Sequence, residues 1–243
     1  MPALPVRLFS LACAAIALTG IPDRADAGSL RIMPIRVETA PDARFCSLTI
    51  ANDEDQPVSV QVRGYGWSKD ASGTDVLTED SAFQVNPTIL TLAAREQRLV
   101  RCGLPPLPGK GAQNEQTWRL LIDELPRPGP SLGGIRTLLR ISLPVFRAPA
   151  DAQPDLVWSM REAVTGGAAQ PELVIENHGS RHAQVLALEV ISAQVGQTIA
   201  GSFYILAGGR AVVALPGGVG GAPSAVRANT PDGPLDLRSG AGS

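Results

Sequence analysis

The 243-residue chain contains 25 Gly and 21 Pro, is 4% aromatic and 18% charged, and carries a formal net charge of −2. That length suffices for one sizeable or two small domains with usable cores, and the turn-rich composition suits β structure better than helix. The near-balanced charge excludes a broad basic nucleic-acid surface and gives no reason to expect an acidic partner.

The chain opens with a targeting pattern. Arg7 precedes an apolar run from Leu8 to about Gly20, too short to span a bilayer comfortably. Ala25-Asp26-Ala27 supplies the small-x-small pattern of a cleavage site, so residues 1–27 are expected to be a cleaved Sec signal peptide. Cys13 has no lipobox before it, and no later stretch is apolar enough for membrane insertion. The expected product is exported and retains two cysteines, Cys46 and Cys102. An even pair in an exported protein invites a disulfide. If the strands that carry them pair antiparallel, the start of one meets the end of the other within bonding reach. The alternative is a pair of buried thiols.

Short strands follow in order. Ser29–Val37 is a strand interrupted by Pro34, which points to an edge or a bulge. Next come Cys46–Ala51, ending at the turn signal Asn52-Asp53, and Pro57–Trp67, with Val58, Val60 and Val62 on one face. A turn at Lys69–Gly73 leads to Phe83–Leu92, Gln97–Cys102, a Pro/Gly loop over Leu104–Gln113, and the alternating stretch Glu115–Leu125. Pro126–Gly134 connects to the long strand Ile135–Arg147, whose residues Ile135, Leu139, Ile141, Leu143 and Val145 share one parity, with Thr137 among them. About seven strands in roughly 120 residues predict an immunoglobulin-like sandwich over 28–149. Pro149–Pro154 reads as a linker, and the strands Asp155–Met160, Glu172–Asn177, Ala183–Ser192, Thr198–Leu206, Ala211–Leu215 and Ala225–Ala228 predict a second, smaller β domain over 150–243. The tail from Arg238 is expected to fray.

No catalytic constellation stands out. Pro108-Gly109-Lys110-Gly111 has the wrong spacing for a phosphate loop. His178 and His182 lack further ligands at metal spacing and read as surface side chains. Asp123-Glu124 reads as a solvated strand end, since strand neighbours point to opposite faces. No enzyme activity, metal or cofactor is therefore expected. Arg36 and Arg140 each interrupt an apolar strand. They are either outward arginines guarding sheet edges or a pair that holds a carboxylate in a cleft.

The order of these features resembles the periplasmic pilus chaperones of the chaperone–usher pathway, most closely the archaic, spore-coat-U-associated branch. The resemblance rests on Leu30–Val37, Leu48–Asn52 with Pro57, Val60–Arg63 with Trp67, and Asn86–Ile89 with Gln97–Arg101. It continues through Trp118–Pro126, Ile141–Phe146 and Leu173–His178, and so covers nearly the whole mature chain. The likeness implies an all-β fold of two immunoglobulin-like β-sandwiches in an L or boomerang. It implies a periplasmic location, pilus or fimbrial subunits and an outer-membrane usher as partners, and no nucleic acid. Whether the free protein caps its exposed strand as a dimer is left open by the sequence. It also implies donor-strand complementation by Ile135, Thr137, Leu139 and Ile141, and two basic residues that bind the subunit's C-terminal carboxylate. The first falls on Arg36. The usual second position falls near Ser142, which carries no charge, so Arg140, on the same parity, is the candidate. Leu92–Gln97 lacks the Pro-Gly turn usual there, and Gly133-Gly134 confines the plugging residues to those four. The alternative is a secreted two-domain adhesin or structural pilus component, disfavoured because such a subunit would itself be an incomplete sandwich.

Overall fold

Proline divides the first expected strand. In the computed structural model, which describes residues 30–107, 113–127, 137–165, 168–192, 196–215 and 223–240, the chain runs as β1 (Leu30–Met33), bends at Pro34, and resumes as β2 (Val37–Thr39) in the opposite sheet. The expected signal peptide lies outside the described residues. β3 (Phe45–Asn52), β4 (Val58–Lys69), β5 (Asp75–Glu79), β6 (Gln84–Asn86), β7 (Ile89–Leu92), β8 (Gln97–Gly103), β9 (Gln116–Glu124) and β10 (Arg140–Arg147) complete the first sandwich. One sheet has the order β1-β3-β8-β6 and the other β2-β10-β9-β4-β5, with β7 also on β4. Asn86-Pro87 splits the expected strand Phe83–Leu92 between the two sheets, and β5 was not anticipated.

The period-2 pattern explains the core. Cys46, Leu48 and Ile50 on β3 face Val58, Val60 and Val62 on β4 and Trp118, Leu120 and Ile122 on β9, all buried in one cluster that Leu143 and Val145 of β10 join. Full burial of each such aliphatic side chain contributes about 1.5–3 kcal/mol. Cys46 and Cys102 are directly opposed on β3 and β8, 4.9 Å apart at Cα, and form the expected disulfide. Arg147 is 2% exposed. Its guanidinium donates to the Ala43 carbonyl (2.8 Å), the Pro105 carbonyl (2.7 Å) and Gln116 Oε1. Those bonds compensate the buried charge and tie the end of β10 to two loops. Burial pushes the Arg147 guanidinium pKa down from its usual value.

After Ala148–Asp155 the chain enters a second sandwich: β11 (Leu156–Thr165), β12 (Ala168–Asn177), β13 (Ala183–Ile191), β14 (Gly196–Ile205), β15 (Arg210–Ala214), β16 (Ala225–Thr230) and β17 (Gly233–Ser239). Its strands form one continuous order, β14-β13-β16-β17-β11-β12-β15, folded around Leu173, Ile175, Val185, Leu188, Ile205 and neighbours. The tail does not fray where expected: Arg238 and Ser239 pair with Val157 and Trp158 of β11, and Arg238 bonds Asp155 at 2.6 Å. Buried Asn177 uses its whole polar capacity, donating to the Arg181 and Ile205 carbonyls and accepting from the Asp155 and Gly179 amides. Among the described residues no helix is long and apolar enough to cross a membrane.

The joint between the sandwiches is aromatic. Trp67 and Phe146 of the first domain meet Tyr204 and Leu206 of the second, and the His182 ring stacks on Phe146 at 3.7 Å. The Glu115 carboxylate accepts from the His182 amide (2.9 Å) and lies 2.8 Å from His182 Nδ1, with both side chains under 5% exposed. His182 is thus buried rather than a surface histidine, because the β12–β13 turn folds under the first domain. The β4–β5 hairpin also crosses the joint. A Cβ on Gly73 (φ +83°) would come within 2.8 Å of the Arg210 carbonyl, so only glycine fits.

The disulfide closes a loop with a sequence separation of 56, which in the chain-entropy account stabilises by roughly 2–4 kcal/mol. Replacing both cysteines (C46A with C102A) is expected to lower the urea-unfolding free energy by about that amount. An unchanged midpoint would show that the crosslink adds nothing.

Candidate functional site

Strand β10 is paired unequally on its two sides. It runs antiparallel to β9 along its whole length, Arg140 to Arg147, but parallel to β2 only at Val145–Arg147. The Glu124 amide donates to the Leu139 carbonyl at 2.8 Å, which fixes the phase of the ladder. Odd-numbered residues of β10 aim their backbone polar groups at β9, and even-numbered ones aim theirs away. Among the described residues, Arg140 and Ser142 therefore present N–H and C=O groups to an open edge, whereas the Pro144 carbonyl falls at the start of the β2 ladder, opposite the Val37 amide. Proline occupies the one kind of position where its missing N–H costs no ladder bond.

The side chains of β10 obey the same parity. Leu143 and Val145 are buried in the first core, and Ile141 packs partly against it. Leu139, half-buried, and Thr137, exposed, continue that parity before the strand begins. Ile135 lies outside the described residues. A strand whose inward row runs on past its own core, with part of one backbone edge unpaired among the described residues, has the geometry needed to join an incomplete sheet.

Arg36 and Arg140 are not brought together. Val37 lies opposite Val145, and Arg140 stands five residues back along β10, roughly 16 Å at the rise of a strand. Arg140 is 66% exposed and bonded to Asp123, which also accepts from Arg63 Nη2 at 2.7 Å. Glu124 accepts from the Leu139 amide at 3.3 Å. Asp123 and Glu124 are both buried, 9% and 8% exposed, not solvated as expected, because the chain returning into β10 covers them.

Arg36 sits at the boundary of the domains. Its Nε lies 2.9 Å from Glu38, and its Nη1 donates to Gln184 Oε1 of the second domain at 2.7 Å. Glu38 is in turn 2.6 Å from Arg181 Nη2. Arg36, Glu38, Arg181 and Gln184 line an interdomain pocket of about 220 Å³, and Arg36 also lines an open groove of about 620 Å³ shared with Phe45 and Arg101. Arg181 gave no sequence signal: it follows a turn, and only the fold carries it to the cleft. Arg119 is a further cation at the joint, its guanidinium 3.7 Å over the Trp67 ring. Burial there lowers its pKa. Among the described residues no group of three or more His, Cys, Asp or Glu side chains is arranged to hold a metal ion.

The family model for the pili and flagellar-assembly chaperone, PapD N-terminal domain, matches residues 29–153, just over half of the chain. Among solved structures, the chain is similar to one in the CsuC–CsuE chaperone–tip adhesion subunit pre-assembly complex from archaic chaperone–usher Csu pili of Acinetobacter baumannii. That match has a TM-score of 0.70 and 22% identity, over 88% of this chain and 100% of that one. It is also similar to a chain of the Salmonella enterica SafA pilin–SafB chaperone complex (TM-score 0.58, 16% identity, 87% and 96% covered). The E. coli chaperone DraB gives a TM-score of 0.56 at 15% identity, with 88% and 97% covered. These likenesses show a shared two-domain β-sandwich fold. No curated protein matches the sequence significantly.

Burial pushes the Asp123 carboxyl up, but bonds from Arg140 and Arg63 more than offset this and hold it below the usual carboxylate range. A carboxyl lowered in the folded state stabilises above its unfolded pKa, and the contribution is lost as pH falls through the folded value. Asp123→Asn is expected to reduce the unfolding free energy by about 1–3 kcal/mol at neutral pH. That deficit relative to wild type should shrink below about pH 4. Urea titrations across pH test this, and a deficit that persists undiminished in acid would contradict it.

Proposed function

This chain belongs to the pili and flagellar-assembly chaperone family, and from that premise we propose that it captures pilus subunits in the periplasm and passes them to an outer-membrane usher. The observation that carries the reading is the half-open edge of β10, with a continuous apolar row on one side of it. A subunit lacking one strand of its sandwich would accept Arg140–Leu143 as a backbone partner. Its open core would take the side chains of Ile135, Thr137, Leu139 and Ile141. In the absence of a subunit, the same edge would pair with a second copy of this chain.

The cleft supplies the second point of attachment. Arg36, held toward the second domain by Gln184, would take the subunit's terminal carboxylate, because a guanidinium offers two parallel donors to it. Arg140, bonded to Asp123, would have to leave that carboxylate to act as an anchor, and it sits toward the far end of the open edge. The reading requires no covalent chemistry, only backbone pairing, apolar burial and ionic capture. It places the mature chain beyond a signal peptide cleaved after residue 27.

Two substitutions separate these parts. Arg36→Ala is expected to abolish co-purification of a co-expressed subunit while the protein stays folded, and Arg140→Ala to reduce it less. Equal yields from wild type and Arg36→Ala would remove Arg36 from the site. Ser142→Pro deletes one N–H from the open edge and none from the β9 ladder. It should weaken subunit binding roughly tenfold with little change in thermal midpoint. A large loss of stability would mean that Ser142 does not face the open edge.

A further inference from the structure

The cleft already contains a carboxylate. Glu38 lies between two guanidiniums from different domains, with Oε1 2.9 Å from Arg36 Nε and Oε2 2.6 Å from Arg181 Nη2. All three side chains are 30–35% exposed, and all three line the 220 Å³ interdomain pocket. We propose that Glu38 is a built-in stand-in for the subunit's terminal carboxylate, occupying an Arg36–Arg181 anion site until an incoming chain end displaces it. This inference rests on the reading of the cleft given above and adds to it a second cation and a competitor.

The surroundings favour a site over an ordinary surface ion pair. Both arginines have attachments other than Glu38, Arg36 through its side chain and Arg181 through its backbone. Arg36 donates to Gln184, and the Arg181 backbone is pinned by Asn177 Nδ2 on its carbonyl (2.7 Å) and by the Gln153 carbonyl on its amide (3.3 Å). Glu38 is anchored by the backbone of β2, which pairs with β10 at Phe146, so its side chain can swing out while the strand stays in place. A cation held at its guanidinium, a second held at its backbone and an anion on a paired strand suit exchange, since part-exposed ion pairs are individually weak. The stand-in also prevents two like charges from facing each other across the joint when no subunit is present. Its consequence is a lower apparent affinity, reduced by the fraction of molecules in which Glu38 occupies the site.

The test compares a synthetic strand peptide of alternating Val and Thr, ending in a free carboxylate, with the same peptide amidated, by fluorescence anisotropy on the intact protein. Glu38→Gln keeps the shape and removes the charge. It should tighten the carboxylate peptide roughly two- to fivefold and leave the amide unchanged, and Arg181→Ala should weaken only the carboxylate form. If Glu38→Gln fails to tighten the carboxylate peptide while Arg36→Ala still weakens it, the stand-in is wrong and the cleft reading survives. If Arg36→Ala affects both peptides alike, or neither, the cleft reading itself fails. Circular dichroism melts check that each variant is folded, and Glu38→Ala serves as the second variant if Glu38→Gln is not.

Discussion

Among the described residues, strand β10 has one partner along its whole length and a second along only three residues, and the rest of the first domain is arranged around that imbalance. An unpaired strand edge is ordinarily a hazard, because it templates pairing with any other edge. Here it remains open but is fixed in place. β9 holds it from one side, buried Arg147 ties its end to the Ala43 and Pro105 carbonyls, and the Asp123–Arg140 pair holds its beginning. A strand fixed at both ends loses little conformational freedom when a partner adds to it, which is why pre-organisation favours binding.

The second domain matters because it completes the cleft. Phe146 ends the outward row of β10 by stacking on His182, so the strand that offers its edge also forms the floor of the joint. The buried Glu115–His182 pair and the Gly73 hairpin contact span the same joint. Breaking a buried polar pair leaves an unsatisfied group in a dry environment, a cost of several kcal/mol. The relation between the sandwiches is therefore held by specific contacts, and Arg36, Glu38 and Arg181 meet only because of it.

Much of this was legible in the sequence wherever one face of a strand is buried. Val58-Val60-Val62 and Leu143-Val145 declared their inward faces, and the antiparallel pairing inferred for Cys46 and Cys102 proved to be the register of the disulfide. Pro34 and Asn86-Pro87 were visible as interruptions, but not as points where the chain changes sheets, since a proline marks the break without saying where the chain goes next. The cleft was far less legible. Arg36 stood out because it interrupts an apolar strand, but Arg140, chosen by parity, lies roughly 16 Å along β10 and is neutralised by Asp123. Arg181, His182 and Glu115 lie in turns or at a strand entrance. Their surroundings come from the other domain, and no local pattern encodes a partner so distant in the chain. The expected solvation of Asp123-Glu124 failed for the same reason, because the covering segment arrives from Leu139.

The central claim is that the outward backbone groups of Arg140 and Ser142 are free in the monomeric protein and paired in the complex. Amide hydrogen exchange at Arg140 and Ser142, read by nuclear magnetic resonance with and without a co-expressed subunit, measures this directly. The account predicts fast exchange at both amides in the free protein diluted to a monomer and strong protection in the complex, with Ile141 and Leu143 protected in both states by β9. Arg140 and Ser142 amides that exchange equally fast in the subunit complex would contradict it.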